Sequence, residues 1–272
     1  MTDGKLPIGI FDSGVGGLTV LAAMQRRMPH EDMLYLGDTA RLPYGTKSPD
    51  TITRYALQAV SRLVAQRIKL LVIACNTATA AALPALRRHF APLPVIGVVD
   101  PGATAAVEAS RKGHVAVIAT EATIGRGAYQ EALQRLCPGI RVTATACSLL
   151  VALAEEGWLD GRECESVVAR YLKPVFTGRD APDCLLLGCT HFPLLLAPIR
   201  KVLGPDTRIV DSAETTAQCV LDELASTGLL RLRKAKAQIR FLTTDDPERF
   251  ARTGSLFLGA SLPIKAVQLV DL

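Results

Sequence analysis

Lys69-Leu70-Leu71-Val72-Ile73-Ala74-Cys75-Asn76-Thr77-Ala78-Thr79 decides the fold. A short apolar run, Leu70 to Ala74, stops at a thiol followed by two small polar residues. Runs of this length and composition read as strands buried on both faces, the kind found in parallel sheets. In open α/β sheets, ligands bind just beyond the carboxyl ends of such strands. Cys75, Asn76 and Thr77 are therefore expected at the mouth of a site. The construction recurs once: Cys184-Leu185-Leu186-Leu187-Gly188 runs into Cys189-Thr190-His191. Two strands that each end in a thiol beside hydrogen-bonding residues predict two thiols facing one cavity.

Outward from these two stretches, strands and helices alternate along the whole chain, which gives an α/β fold with mostly parallel sheets. Pro7–Phe11 reads as a strand leading through Asp12-Ser13-Gly14-Val15-Gly16-Gly17 into a helix near Leu18–Met28. A glycine-rich strand-to-helix turn exposes backbone N–H groups that favour an anion. Its spacing is neither GxGxxG nor a P-loop, so a carboxylate is as good an occupant as a phosphate. Asp12 reads as a helix cap that also faces the site. Asp32–Gly37 is the next strand, followed by a loop carrying Arg41, Pro43, Tyr44, Gly45 and Thr46. A helix from Ser48-Pro49 runs to about Gln66, and another covers about Thr79 to His89, bent or delayed by Pro84.

Val95–Val99 opens a second series. Ile96-Gly97-Val98-Val99-Asp100-Pro101-Gly102 echoes Ile8-Gly9-Ile10-Phe11-Asp12-Ser13-Gly14 at four of seven positions, the mark of an internal duplication. Val115–Ala119 ends at Thr120. Arg141–Ala146 leads into helical sequence through Glu155-Glu156, and a further helix covers about Arg162–Phe176. After Cys189 come a helix at Pro193–Leu203, a strand at Arg208–Val210, a helix to about Ala225 and a short mixed tail.

The 272 residues are 49% hydrophobic and 21% charged, ordinary values for a globular protein. The net charge of +5 is mild and scattered, which does not point to nucleic acid. The densest basic group, Arg231, Arg233, Lys234, Lys236 and Arg240, reads as a solvated connection. No segment reaches the roughly 18–20 clean apolar residues of a membrane helix. The start lacks the design of a signal peptide. Seven cysteines without export signals predict reduced thiols and a cytoplasmic location. No CxxC pair occurs, which argues against structural zinc or a dithiol redox motif. No Lys stands at a strand end for a Schiff base, so pyridoxal phosphate is not suggested, and no cofactor or metal is expected.

Cys137, Cys147, Cys164, Cys184 and Cys219 read as small buried hydrophobes. Cys75 and Cys189 stand apart through their polar neighbours. Two thiols without a metal suit either a disulfide couple or a pair of acid/base groups on opposite faces of a substrate. A free thiol titrates near ~8.5, so each needs a neighbour to gain or hold a proton at neutral pH. His191 gains weight as a candidate from its place two residues after Cys189.

Phe11-Asp12-Ser13-Gly14-Val15-Gly16-Gly17-Leu18, Pro43-Tyr44-Gly45, Ala74-Cys75-Asn76-Thr77-Ala78 and Gly188-Cys189-Thr190-His191-Phe192-Pro193 together resemble the glutamate racemase family, in its order and at its spacing. The resemblance covers nearly the whole chain. It implies a cofactor-independent isomerase that interconverts L- and D-glutamate and supplies D-glutamate for peptidoglycan. It also implies two similar, pseudo-symmetric α/β domains with the site in the cleft between them. The expected division is 1–95 plus 211–272 for the first domain and 96–210 for the second. By matching position, Cys75 and Cys189 would be the acid/base thiols, Asp12 attending the first and His191 the second. Asp12, Ser13, Pro43, Tyr44, Gly45, Asn76, Thr77, Thr120, Thr190 and His191 would hold the substrate. A site carboxylate falls at Glu155, with Glu156 beside it as the alternative. The partner would be glutamate, with no nucleic acid and no membrane; oligomeric state stays open, a homodimer among the options. An aspartate racemase or related carboxylate isomerase is the nearest alternative. A solute-binding module or a thiol redox protein would be rivals from other classes.

Overall fold

The computed structural model describes residues 4–231 and 236–272. Arg233 and Lys234 of the basic group lie outside the described residues. Within that group, Arg231 Nη2 bonds Asp32 Oδ2 at 2.6 Å and Arg240 reaches Gln66.

The first half alternates as β1 (Ile8–Asp12), α1 (Leu18–Arg27), β2 (Met33–Gly37), α2 (Pro49–Val64), β3 (Leu70–Ile73), α3 (Asn76–His89), β4 (Val95–Gly97) and α4 (Val99–Ala109). It continues with β5 (His114–Ala119), α5 (Glu121–Arg126), α6 (Ala128–Leu136), β6 (Arg141–Ala146), α7 (Ser148–Glu155), α8 (Gly161–Leu172) and β7 (Cys184–Gly188). Then follow α9 (Leu196–Leu203), β8 (Arg208–Asp211), α10 (Ser212–Ser226), β9 (Ile239–Thr243), α11 (Pro247–Leu258) and β10 (Val267–Leu269). The strands form two parallel sheets, ordered β10-β9-β2-β1-β3-β4 and β6-β5-β7-β8. In each, the chain leaves one central strand in both directions. The reversals lie between β1 and β3 and between β5 and β7, and such switch points open a crevice at the carboxyl ends. Cys75 follows β3 and Cys189 follows β7, one at each switch point.

Alternation along the strands divides each core into two layers. Ile8 and Ile10 of β1 pack with Leu18, Leu21 and Met24 of α1 and with Ala217 and Val220 of α10. Phe11 turns the other way, to Ala56 and Val60 of α2 and Ala82 of α3. In the second sheet Leu185 and Leu187 face α7, α8 and α9, while Cys184 and Leu186 face α4 and α6.

Four expectations are corrected. The strand at Val95 does not open the second sheet. It is the edge of the first, pairing Leu71 with Val95 through Ile73 with Gly97, so Ile96 and Gly97 hydrogen-bond on the first side of the expected boundary. Asp100, the echo of Asp12, lies in the first turn of α4 and pairs with Arg135 at 2.6 Å. Helix α3 starts at Asn76 rather than near Thr79, because Cys75 Sγ accepts the Ala78 N–H at 3.3 Å and caps it, while Pro84 is accommodated inside. Last, the tail supplies two strands of the first sheet and a helix, none of them legible as a mixed segment.

At the amino end of β3, Lys69 is fully buried, with Nζ 2.5 Å from Glu31 Oε2 and bonded to the carbonyls of Gly4 and Leu229. Removing one partner of a buried pair strands the other charge. Lys69→Met is expected to lower stability by about 3–5 kcal/mol in urea titration. A loss below about 1 kcal/mol would show that the pair is dispensable.

Candidate active site

A cavity of about 520 Å³ opens between the carboxyl ends of the two sheets. From the first sheet come Ser13 after β1, the loop Leu42–Thr46 after β2, and Cys75, Asn76 and Thr77 after β3. The second contributes Thr120 after β5 and Cys189, Thr190 and His191 after β7. The two thiols, each about 5% exposed, are thus carried on different sheets and face the same space.

Each has its own surroundings. Cys75 Sγ donates to Ser13 Oγ at 3.4 Å. Burial, then the nearby Asp12 carboxylate, push its thiol up to about 12. Such a thiol stays almost wholly protonated at pH 8. Alkylation of Cys75 in the unliganded protein is expected to run roughly a thousandfold slower than at an ordinary exposed cysteine. Peptide mapping after iodoacetamide treatment measures this; rapid labelling of Cys75 at pH 8 would contradict it.

Cys189 Sγ lies 3.6 Å from His191 Nδ1, and His191 Nε2 lies 3.1 Å from Glu155 Oε1. Burial alone would lower the imidazole, but the charges and hydrogen bonds of Cys189 and Glu155 outweigh it and raise it to about 10. The same hydrogen bond to His191 holds the Glu155 carboxyl below its usual range. Of the two adjacent glutamates, Glu155 therefore joins the thiol–imidazole chain. Glu156 lines a neighbouring hollow of about 510 Å³ with Asp245, Asp246 and Arg252. The His191 and Phe257 rings meet in a T-shaped contact, centroids 4.9 Å apart.

The remaining polar groups are largely tied to one another. Thr77 and Thr120 hydroxyls are 2.9 Å apart, and Thr123 lies 2.9 Å from Thr120 and 3.2 Å from Thr77. Asn76 Nδ2 donates to Tyr129 Oη at 2.7 Å. Tyr44 is buried with its hydroxyl donating to Asp38, which Arg41 Nε also contacts at 2.7 Å. Tyr44 therefore presents a braced loop to the cavity rather than a free phenol. Asp12 is the one expected site residue that does not line the cavity. It is 1% exposed, with Oδ2 accepting the Gly14 N–H at 2.9 Å and Oδ1 buried without a hydrogen-bond partner among the described residues. Burial raises its carboxyl, and His191 partly opposes this. It stands behind the wall, within electrostatic reach of both Cys75 and His191.

Ser148, Val151 and Ala152 also line the cavity, with Thr39, Leu42, Thr46 and Arg249. The first three precede Glu155 at i, i+3, i+4 and i+7, so the helical period put them on its face. Arg249 of α11 carried no signal, because its position follows from how the tail folds back.

Residues 18–220 match the Asp/Glu/Hydantoin racemase family model. The chain is 48% identical over 256 residues to a glutamate racemase of Geobacter metallireducens, covering 94% of this chain and 93% of that one. Among solved structures it is similar to a glutamate racemase isoform of Bacillus anthracis, with a TM-score of 0.92, 38% identity and 98% of each chain covered. It is also similar to the glutamate racemase of Francisella tularensis in complex with D-glutamate, with a TM-score of 0.90, 35% identity and 98% of each chain covered.

Proposed function

The chain belongs to the aspartate/glutamate racemase family, and from that premise we propose that it interconverts L- and D-glutamate by two-thiol acid/base chemistry at Cys75 and Cys189. The observation that carries the reading is the pair of buried thiols on opposing sheets around one cavity, each with separate partners. A base on each face lets a substrate lose its α-proton on one side and regain a proton on the other without turning over. One thiolate takes the proton while the opposite thiol delivers one; the roles exchange in the reverse direction.

The α-proton is a very weak acid, so the developing negative charge must be met by fixed donors. Ser13, Asn76, Thr77 and Thr190 supply hydroxyl and amide groups for the carboxylates, with Thr120 and the braced Pro43–Gly45 loop beside them. Cys75, with its thiol pushed up to about 12, is suited to hold and deliver a proton. The His191 imidazolium, held by Glu155, is suited to stabilise the Cys189 thiolate as it forms. Asp12 acts through its charge on Cys75 rather than by touching substrate.

The same reading treats residues 1–95 with 211–272 as one unit and 96–210 as the other, the first keeping Ile96 and Gly97 through β4. It makes D-glutamate a precursor for peptidoglycan, as the family resemblance implies. It places the enzyme in the cytoplasm; none of the described helices is long and apolar enough to cross a membrane. A homodimer belongs to this reading too, and sedimentation measures it.

Glutamate is favoured over aspartate because a relative at 48% identity is a glutamate racemase. The test is circular dichroism on L-glutamate with no added cofactor, in parallel with L-aspartate. Racemisation of glutamate at a rate well above aspartate supports the reading. A requirement for pyridoxal phosphate or metal, or a preference for aspartate, contradicts it.

A further inference from the structure

Tyr129, on α6, is fully buried, yet it touches the neighbourhood of both thiols. Its hydroxyl accepts the Asn76 amide at 2.7 Å, across the junction between the two sheets, and Asn76 directly follows Cys75. Its ring lies against Gly188, which directly precedes Cys189. A β-carbon at position 188 would stand 2.9 Å from Tyr129 Cε2 and 2.9 Å from the Ile118 carbonyl oxygen, so the ring abuts that backbone with no space between. Behind it, Tyr129 packs with Ala103, Val117 and Leu186, a rigid layer under the second sheet. Asn76 has no other side-chain hydrogen bond among the described residues: its Oδ1 is buried and unpartnered. The seating of that amide therefore depends on one phenol.

We propose that Tyr129 is a positioning residue for racemisation, a strut that fixes the two thiol-bearing strand ends relative to each other, holding Asn76 through its hydroxyl and the Gly188 backbone through its ring. The inference rests on the reading of Asn76 as a donor to the substrate carboxylate. A rigid spacer matters here because two bases must meet opposite faces of one carbon. A displacement of about 1 Å at such a site costs up to about a hundredfold in rate.

Tyr129→Phe removes one oxygen and keeps the ring, so the packing layer stays filled. In the full-length enzyme it is expected to lower kcat/KM for glutamate by between about tenfold and a hundredfold. Asn76→Ala should lose at least as much, and the double variant Tyr129→Phe/Asn76→Ala should be no worse than Asn76→Ala alone. That non-additivity is a readout a merely structural tyrosine would not give. If Tyr129→Phe keeps kcat/KM within twofold of the parent, or if its cost adds in full to that of Asn76→Ala, the strut is overturned. A parent enzyme that does not racemise glutamate would instead overturn the function proposed above. A parent that racemises and loses activity through Asn76→Ala, but not through Tyr129→Phe, would leave that function standing and remove only the role of Tyr129.

Discussion

Cys75→Ser and Cys189→Ser are each expected to slow glutamate racemisation by about 10²–10⁴-fold, the usual contribution of a positioned acid/base group. A serine hydroxyl keeps the size and the hydrogen bonds but barely ionises near neutrality. In Cys75→Ser the hydroxyl can still pair with Ser13 and cap α3 at Ala78, so the fold is expected to persist. In Cys189→Ser the His191–Glu155 pair remains but loses the sulfur it faces. Racemisation should fall from both enantiomers in both variants, because every turnover uses both groups. Circular dichroism from pure L- and pure D-glutamate measures it. A variant retaining more than a tenth of parent activity would show that the replaced thiol is not one of the two groups.

Gly16→Ala is expected to cost about a hundredfold in kcat/KM, although it introduces a single methyl group. A β-carbon at Gly16 would lie 2.3 Å from Thr190 Oγ1 and 2.6 Å from the His191 ring atoms Cε1 and Nδ1. The turn after β1 thus presses directly on the residues that follow Cys189. Thr19 locks the same contact, donating to the Gly16 carbonyl at 2.9 Å and lying 3.2 Å from the Thr190 carbonyl. To admit the methyl group, Thr190 and His191 must shift by an appreciable fraction of an ångström, which moves the imidazole off Cys189. A misplacement of about 1 Å costs on the order of a hundredfold. Steady-state kinetics with a parallel thermal melt is the measurement. Activity within threefold of the parent would show that the contact is loose and does not set the position of His191.

How far the site could be read in the sequence depends on which physical signal placed each residue. Strand ends are written locally: an apolar run that stops at a polar residue places that residue at the sheet edge. Cys75, Asn76, Thr77, Thr120, Cys189, Thr190 and His191 were all legible in that way and all line the cavity. Asp12 carried the same signal yet sits behind the wall, because the Gly14 N–H draws its carboxylate back into the turn. Strand partnership is not local. Val95–Gly97 has the pattern of a first strand and the echo of β1, but pairing with β3 makes it an edge. The side on which a strand docks depends on the crossover that follows, which the pattern of a few residues does not encode. Arg249 and the strands β9 and β10 were hidden for a related reason. Their short segments join the first sheet only because the chain returns to it from α10, a contact between residues some two hundred positions apart. Glu155 over Glu156 was decided by helix phase, visible once α7 is anchored at Ser148.

The central claim is that each thiol serves one face of the substrate, and the most direct measurement is α-deuterium uptake in deuterated water. Each pure enantiomer is incubated with each single Cys→Ser variant, and the α-position is followed by proton NMR. The family resemblance assigns Cys75 to the proton of D-glutamate and Cys189 to that of L-glutamate. Cys75→Ser should therefore retain exchange mainly with L-glutamate, and Cys189→Ser mainly with D-glutamate, while neither racemises at more than a small fraction of the parent rate. Equal residual exchange of both enantiomers in each variant would mean a single shared base, and the two-thiol account would be wrong.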